Sequence, residues 1–358
     1  MDEMIPVLLD VKSLSGYKKL KIIDDYISFI WTERYYTPGD FELVMPITLQ
    51  NLSLFQRGRY ITRPDREEWG VIEKIRLEKV LRIGDASDQM VISGRMVSSF
   101  IARRIVGVQQ NIDDTIPNCV EELLNKNAIS PARAGRYIDD LTFDNQVTSV
   151  TEIKQQFFGE NLLEAIQGVV QNAGIGFKMI PDGSDGWKFV LYEGLDRTAG
   201  QNVNDKAIFS SEMDNLEAAE YEIDYSTYKN SILTAGEGEG DARTVVWYEE
   251  PGALTSNLDR YEGYKDGSSI STNNGEIGQT LYEYMLQQAG AEEATTFTEA
   301  FAGSVDLSLL EYKQDFDIGD KVTVISPGWG ISADFRLVEM IESTDESGMH
   351  TFTPSFGS

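Results

Sequence analysis

The sequence predicts an α+β, β-rich protein of several domains. Short β-branched or aromatic runs alternate with turn signals through the first hundred residues. The periodicity becomes helical near residues 115 and 161, and strand-type runs return from about residue 207. With 358 residues, 41% of them hydrophobic and 10% aromatic, the chain can bury two or three cores without disulfide or metal support.

The elements follow in order. Strands are expected at Val7 to Val11, Leu20 to Trp31, Phe41 to Pro46 and Arg59 to Arg63, then in a long pair, Gly70 to Val80 and Gln89 to Ile101. Alternation along Val71 to Val80 suggests one buried and one wet face, and Gly84-Asp85 with Ser87-Asp88 reads as the turn. Thr115-Ile116-Pro117 opens a helix with Val120, Leu123 and Leu124 on one stripe. Asn161 reads as an N-cap with Glu164 three residues on. Leu162, Leu163, Ile166, Val169 and Val170 form the stripe behind it, and Gly174 stops the helix. A hairpin spans 175–192 around Pro181-Asp182-Gly183-Ser184-Asp185-Gly186. Strands resume over 207–246, a helix over 276–289 turns Ile277, Leu281, Tyr284 and Met285 inward, and Phe297 to Asp306 and Lys321 to Ile325 close the fold.

The charge is strongly negative, with 31 basic against 59 acidic side chains and a formal net of −28. Residues 1–180 hold 21 basic and 25 acidic side chains, net −4, whereas 181–358 hold 10 and 34, net −24. Such a balance argues against a groove that holds nucleic acid through Lys and Arg, and against anionic lipid. Part of the excess clusters at Glu212, Asp214, Glu217, Glu220, Glu222 and Asp224, ahead of the Gly-rich turn 236–241. That cluster reads as a solvated face, or as a lining that must not hold a passing polyanion. The acidic start broken by Pro6 is neither a signal peptide nor a membrane anchor, so folding in a cytoplasm is expected.

Catalytic chemistry finds few candidates. The single Cys119 sits in an apolar run and reads as a buried small hydrophobe. With His350 the only histidine, a nucleophile–His triad would have to use it, and a His-rich zinc site cannot be built. Acid pairs at Asp113/Asp114, Asp139/Asp140, Glu249/Glu250 and Glu292/Glu293 could in principle serve glycoside hydrolysis, but adjacent strand residues point to opposite faces. The 182–186 turn lacks the spacing and distal Glu of a calcium loop. Trp31, Tyr35, Tyr36, Trp247, Tyr248 and Tyr261 could line a sugar groove, though strand aromatics more often build cores or interfaces. No catalytic, cofactor-binding or metal-ligating residue, and no cofactor, is assigned.

Five stretches carry a resemblance. Trp31-Thr32-Glu33-Arg34-Tyr35-Tyr36-Thr37-Pro38-Gly39-Asp40-Phe41-Glu42-Leu43 is similar to a signature near the start of siphophage baseplate hub proteins, the tail-associated family at the tip of long non-contractile tails. Ile92 to Arg104, the helix from Asn161 with its hairpin, Tyr225 to Asn230 and Phe316-Asp317-Ile318-Gly319-Asp320-Lys321-Val322 follow in the same order. The resemblance implies two tail-tube-like β-barrel domains and two smaller α/β domains per subunit, assembled as a trimeric ring through interfaces of at least about 2,000 Å². Mapped onto the chain, it gives a first barrel at 1–105, an α/β insert at 106–200, a second barrel at 201–250 plus 295–358, and a small α/β or helical insert at 251–294.

The implied role is structural, not enzymatic. The homotrimer would close the tail tube, join the distal tail protein and the tape-measure protein to a tail fibre or receptor-binding protein, and open for DNA ejection. It would be assembled in the host cytoplasm and sit in the virion. Three copies at −28 each would carry −84, which keeps passing DNA from sticking. Many relatives continue into an adhesive or lytic extension, whereas this chain stops at Phe352-Thr353-Pro354-Ser355-Phe356-Gly357-Ser358, so neither activity is expected of it. The rivals are a β-rich carbohydrate-active enzyme or cell-wall glycan-binding module, and the hub of a phage-like bacterial injection particle.

Overall fold

A computed structural model of the chain describes all residues except 1–8, 14–15, 83–84, 184, 217, 253–256, 273–276, 295–297, 306–308, 347 and 358. Strand outweighs helix, 43% against 21%, as a β-rich chain requires. The strands organise around one ten-stranded sheet. Eight of them run in the spatial order Ala218–Asp224, Thr298–Ser304, His350–Gly357, Ile331–Thr344, Ser28–Arg34, Asp40–Pro46, Asp85–Arg95, Lys74–Arg82, each antiparallel to the next. The other two, Ile208–Ser210 and Lys321–Ser326, branch off Ile331–Thr344. The first and last parts of the chain thus share a sheet, joined where Ile331–Thr344 pairs with Ser28–Arg34.

Over the first part lies a four-stranded sheet of Lys19–Ile23, Leu9–Lys12, Tyr60–Thr62 and Gly70–Val71. Leu9, Val11, Ile23 and Ile61 pack from it onto Phe29, Trp31, Phe41, Leu43 and Ile92 of the large sheet. Each side chain of that size contributes about 1.5–3 kcal/mol on burial. Phe209, Phe301, Phe335, Phe356, Val322 and Val324 form the corresponding core at the other end. The expected β-barrels therefore take the form of open sandwiches: among the described residues no ladder closes on itself, because the two halves merge into one sheet and leave its two outer strands open.

Among the described residues four α-helices accompany the sheets: α1 (Leu49–Leu54), α2 (Ile116–Leu124), α3 (Leu162–Gln171) and α4 (Gln279–Glu293). In α2, Val120, Leu123 and Leu124 are buried as the spacing predicts. In α3, the Asn161 carboxamide oxygen accepts from Leu163 N at 2.9 Å, the five-residue stripe is buried, and Gly174 stops the helix at φ +69°. Both helices share a core with the hairpin Gly176–Asp182/Gly186–Tyr192, which also carries a parallel third strand, Leu141–Asn145, that periodicity alone missed. Helix α4 packs on a small sheet of Val245–Glu249, Ser231–Ala235 and Glu262–Asp266.

Several expectations need correction. Leu20 to Trp31 is two strands, Lys19–Ile23 and Ser28–Arg34, parted at the acidic pair Asp24-Asp25. Ser87 and Asp88 lie in a strand opposite Val80 and Lys79, not in a turn. The strand expected to reach Ile101 ends at Arg95, and Val97–Arg103 is 3-10 helix with Val97 to Ile101 buried. Ile75 and Leu77 are exposed, not buried. In α4, Tyr282 and Leu286 face inward while Tyr284 is 41% exposed. The Ser/Thr-rich end is strand His350–Gly357, and the fourteen-residue strand Ile331–Thr344 went unpredicted. Val7, Gly84, Ser184, Glu217, Glu276, Phe297 and Asp306, which figure in those expectations, lie outside the described residues.

Candidate functional site

The residues weighed for catalysis do not converge. Asp113 pairs with Lys154 at 2.9 Å, while Asp114 accepts from Thr115 N and the Asn118 amide at the start of α2. Glu249 pairs with Arg260 at 2.8 Å, and Glu250 accepts from the Tyr248 hydroxyl. Glu293 pairs with Lys265, whereas Glu292 accepts from the Gln155 amide and is pushed up to about 7 by burial. Asp139 and Asp140 line an exposed groove of about 760 Å³ with Arg103, Arg104, Tyr137 and Asp185, which offers no nucleophile–base pair. Cys119 is fully buried, and burial pushes its thiol far up, which suits an inert packing role. Among the described residues no group of three or more His, Cys, Asp or Glu could hold a metal ion. Of the six aromatics, Trp31 and Tyr35 are buried while Trp247, on the small sheet, and Tyr261, just before its strand Glu262–Asp266, are exposed, so they form no single groove.

The strongest polar constellation is instead a buried seam on the core side of the large sheet, where Ser28–Arg34 and Ile331–Thr344 meet. Arg63 sends Nη1 and Nη2 to the two oxygens of Glu342 at 2.6 and 2.7 Å and is itself held by Asp65. Arg66 reaches Glu342 at 2.6 Å and Glu33 at 3.1 Å. Glu33 also takes Lys313 Nζ at 2.9 Å and the Tyr312 hydroxyl at 2.9 Å, and Lys313 continues to Asp317. His350 Nε2 lies 2.6 Å from Glu342, so the lone histidine belongs to this seam. Burial opposes ionisation of Glu342, but the bonds from His350 and Arg63 and the charges of Arg63 and Arg66 outweigh it and hold the carboxyl well below its usual range. Glu33 is likewise held down, Lys313 and Arg66 overcoming its burial. Removing one partner of such a network leaves the others' charges uncompensated in a low-dielectric site.

The signature around Trp31 meets a second junction here. Arg34 bridges Asp40 and Glu339, and the buried Tyr35 hydroxyl donates to the Gly174 or Tyr192 carbonyl, tying the hairpin to the sheet. Gly39 leaves no room for a side chain, since a Cβ would collide with the Thr32 carbonyl oxygen. Asp320 of the late motif accepts from Leu195 N at 2.6 Å and Arg197 Nε at 2.8 Å. Asn230, fully buried, accepts from Tyr261 N at 2.9 Å. These motif residues are joints between elements. Sequence order reveals the motifs, but the partners lie up to 305 positions away.

Opposite the seam, the other face of the large sheet is mostly polar, with Ile30, Val44, Val91 and Ile341 as its apolar members. Strand alternation puts Ser343, Thr351, Thr353 and Ser355 there at the centre, Glu42 and Ser93 towards one end, and Glu220 and Glu222 towards the other. Among the described residues no helix is long and apolar enough to cross a membrane.

Solved structures that share this fold include three tail proteins. The tail protein of Neisseria meningitidis MC58 aligns at TM-score 0.57 with 16% identity, covering 99% of this chain and 97% of its own. The 43 kDa tail protein of prophage MuSo2 from Shewanella oneidensis aligns at 0.58 with 14% identity, covering 98% of each chain. Prophage tail protein gp18 of Listeria monocytogenes EGD-e aligns at 0.54 with 15% identity, covering 98% of this chain and 94% of its own. No curated protein sequence matches the chain. The family model of the Siphovirus ReqiPepy6 Gp37-like protein matches residues 15–358, and the chain therefore belongs to that family of siphophage tail proteins.

Proposed function

We propose that this tail protein is a hub of the tail tip, three copies forming a ring that closes the tail tube and opens as the conduit for DNA. It would comprise two barrel-type units that build the ring and two smaller units that decorate it. Its partners would be the distal tail protein, the tape-measure protein and a receptor-binding protein or fibre. Its place would be the virion, after assembly in the host cytoplasm. The observation that carries the reading is the mostly polar outer face of the ten-stranded sheet, with its central Ser and Thr side chains and its acidic end. A wall of that kind offers a passing polyanion hydration, with its cations confined to the edge at Lys74 and Arg76 and to Arg34 and Arg95, which carboxylates already hold. The lack of convergence among the acid pairs supports a structural role over a glycan-cleaving one. Electron microscopy of tails carrying a gold-labelled copy tests it: label at the tip, with threefold-averaged density, is expected, and label along the shaft or at the head end overturns the hub role.

A further inference from the structure

We infer that the groove where the four-stranded sheet meets the hairpin Gly176–Asp182/Gly186–Tyr192 binds a neutral oligosaccharide without cleaving it. The site lies within one copy of the chain, so it stands apart from the ring reading above. The groove holds about 760 Å³, within the roughly 300–1,000 Å³ of ordinary ligand pockets. A second hollow of about 590 Å³ shares Tyr137, Ile138, Asp140 and Asp185 with it and leads on to Thr142 and Asp182. A trough of this length suits several linked rings better than one.

Three features point to sugar. The first is an aromatic floor. Trp187 meets Tyr60 at 5.4 Å and Phe100 at 5.9 Å between ring centres, both edge to face. Tyr17 joins them 5.1 Å from Trp187, and Tyr137, 53% exposed, also lines the groove. Such rings pack on the apolar C–H face of a pyranose and leave its hydroxyls free at the edge. The second is the polar complement. Asp139, Asp140 and Asp185 supply acceptors and Arg103 supplies donors. Among the described residues no hydrogen bond or ion pair engages the Asp139 or Asp140 carboxylate. Arg103 lies over the Phe100 ring and reaches Glu73 only at 3.8 Å. Hydroxyls both donate and accept, so they can use the two sets at once. A polyanion would meet three carboxylates, a cation would meet Arg103 and Arg104, and an apolar ligand would strip water from every one of these charges. The third is that the walls are built in advance. Arg104 donates to the Arg136 and Tyr137 carbonyls, the Asp185 carboxylate accepts from Gly16 N, and the Tyr17 hydroxyl donates to the Gly186 carbonyl at 2.9 Å. Tyr17 and Asp140 sit at φ +42° and +47°, a left-handed backbone that persists at residues with side chains only where the surroundings impose it. Groups already fixed lose less freedom on binding.

The test is calorimetric titration of the full chain with tetramers of N-acetylglucosamine, glucose, galactose, mannose and rhamnose. Wild type should bind at least one of them with Kd below about 1 mM. Tyr137→Ala and Asp140→Asn should each weaken that binding at least about tenfold, a loss of about 1.4 kcal/mol. Tyr137 is exposed and Asn tolerates the left-handed backbone, so both variants should fold, which circular dichroism checks. Trp247→Ala, at an exposed ring on the small sheet, should leave the affinity unchanged. Failure to bind every tetramer, or an affinity that survives both groove variants, overturns the site. Uptake of polyglutamate in place of every sugar, fading as salt is added, overturns it too by showing a cationic patch. A tetramer recovered shortened would overturn binding without cleavage.

Discussion

Glu342 sits under two guanidinium groups and beside His350, nearly all of it shielded from water. Removing its charge strands Arg63 and Arg66 in a low-dielectric seam, so Glu342→Gln is expected to lower unfolding stability by about 3–5 kcal/mol in denaturant titration. A pH dependence follows. The folded carboxyls of Glu342 and Glu33 are held below their unfolded value of roughly 4.3, so their contribution is present above that pH and is lost as the pH falls further. Melting curves between pH 3 and 6 should therefore slope less in Glu342→Gln than in wild type, and equal slopes would mean that the seam does not titrate with folding. None of this was legible in sequence. Glu342 is one of 59 acids, and Arg63, 279 positions away, reads in the sequence only as the end of a strand.

At the scale of elements, local signals worked where local physics decides. The cap of α3 is the clear case, since a carboxamide oxygen over a free N–H is a contact within three residues. What the sequence did not disclose is that the same Asn161 donates to the Ala102 carbonyl at 2.8 Å, fastening α3 to the 3-10 helix Val97–Arg103. Asn161→Ala should cost about 1–2 kcal/mol and increase amide exchange in the first turn of α3 and around Ala102; exchange raised in α3 alone would reduce the residue to a cap. The failures have the same logic reversed. Ile331–Thr344 is hard to see because its polar residues alternate on the wet face while charged Glu342 hides on the core side, paired to partners remote in sequence.

For the whole molecule, the polar face of the large sheet makes a prediction about transport. Thr353 is half-buried on that face, on the third strand of the sheet, away from both open edges. Thr353→Lys should leave particle yield unchanged and slow DNA release after triggering, read as dye uptake by the emerging DNA, because a cation on the wall gives each passing phosphate a transient partner. Release at the wild-type rate in normal particles would place this face away from the DNA path. The uneven charge also takes on a location, since Glu220 and Glu222 lie at one end of the sheet and Lys74 and Arg76 at the other.

The sequence by itself determined the β-rich class, the capped helices, the hairpin and the family, because periodicity, capping and motif order are local or linear properties. Only the tertiary structure decided that the two ends of the chain share one sheet, that the lone histidine and the signature acids are joints, and that the sheet has two unlike open edges. Strand partners and buried ion pairs join residues hundreds of positions apart, and no window along the chain records which edge remains unpaired.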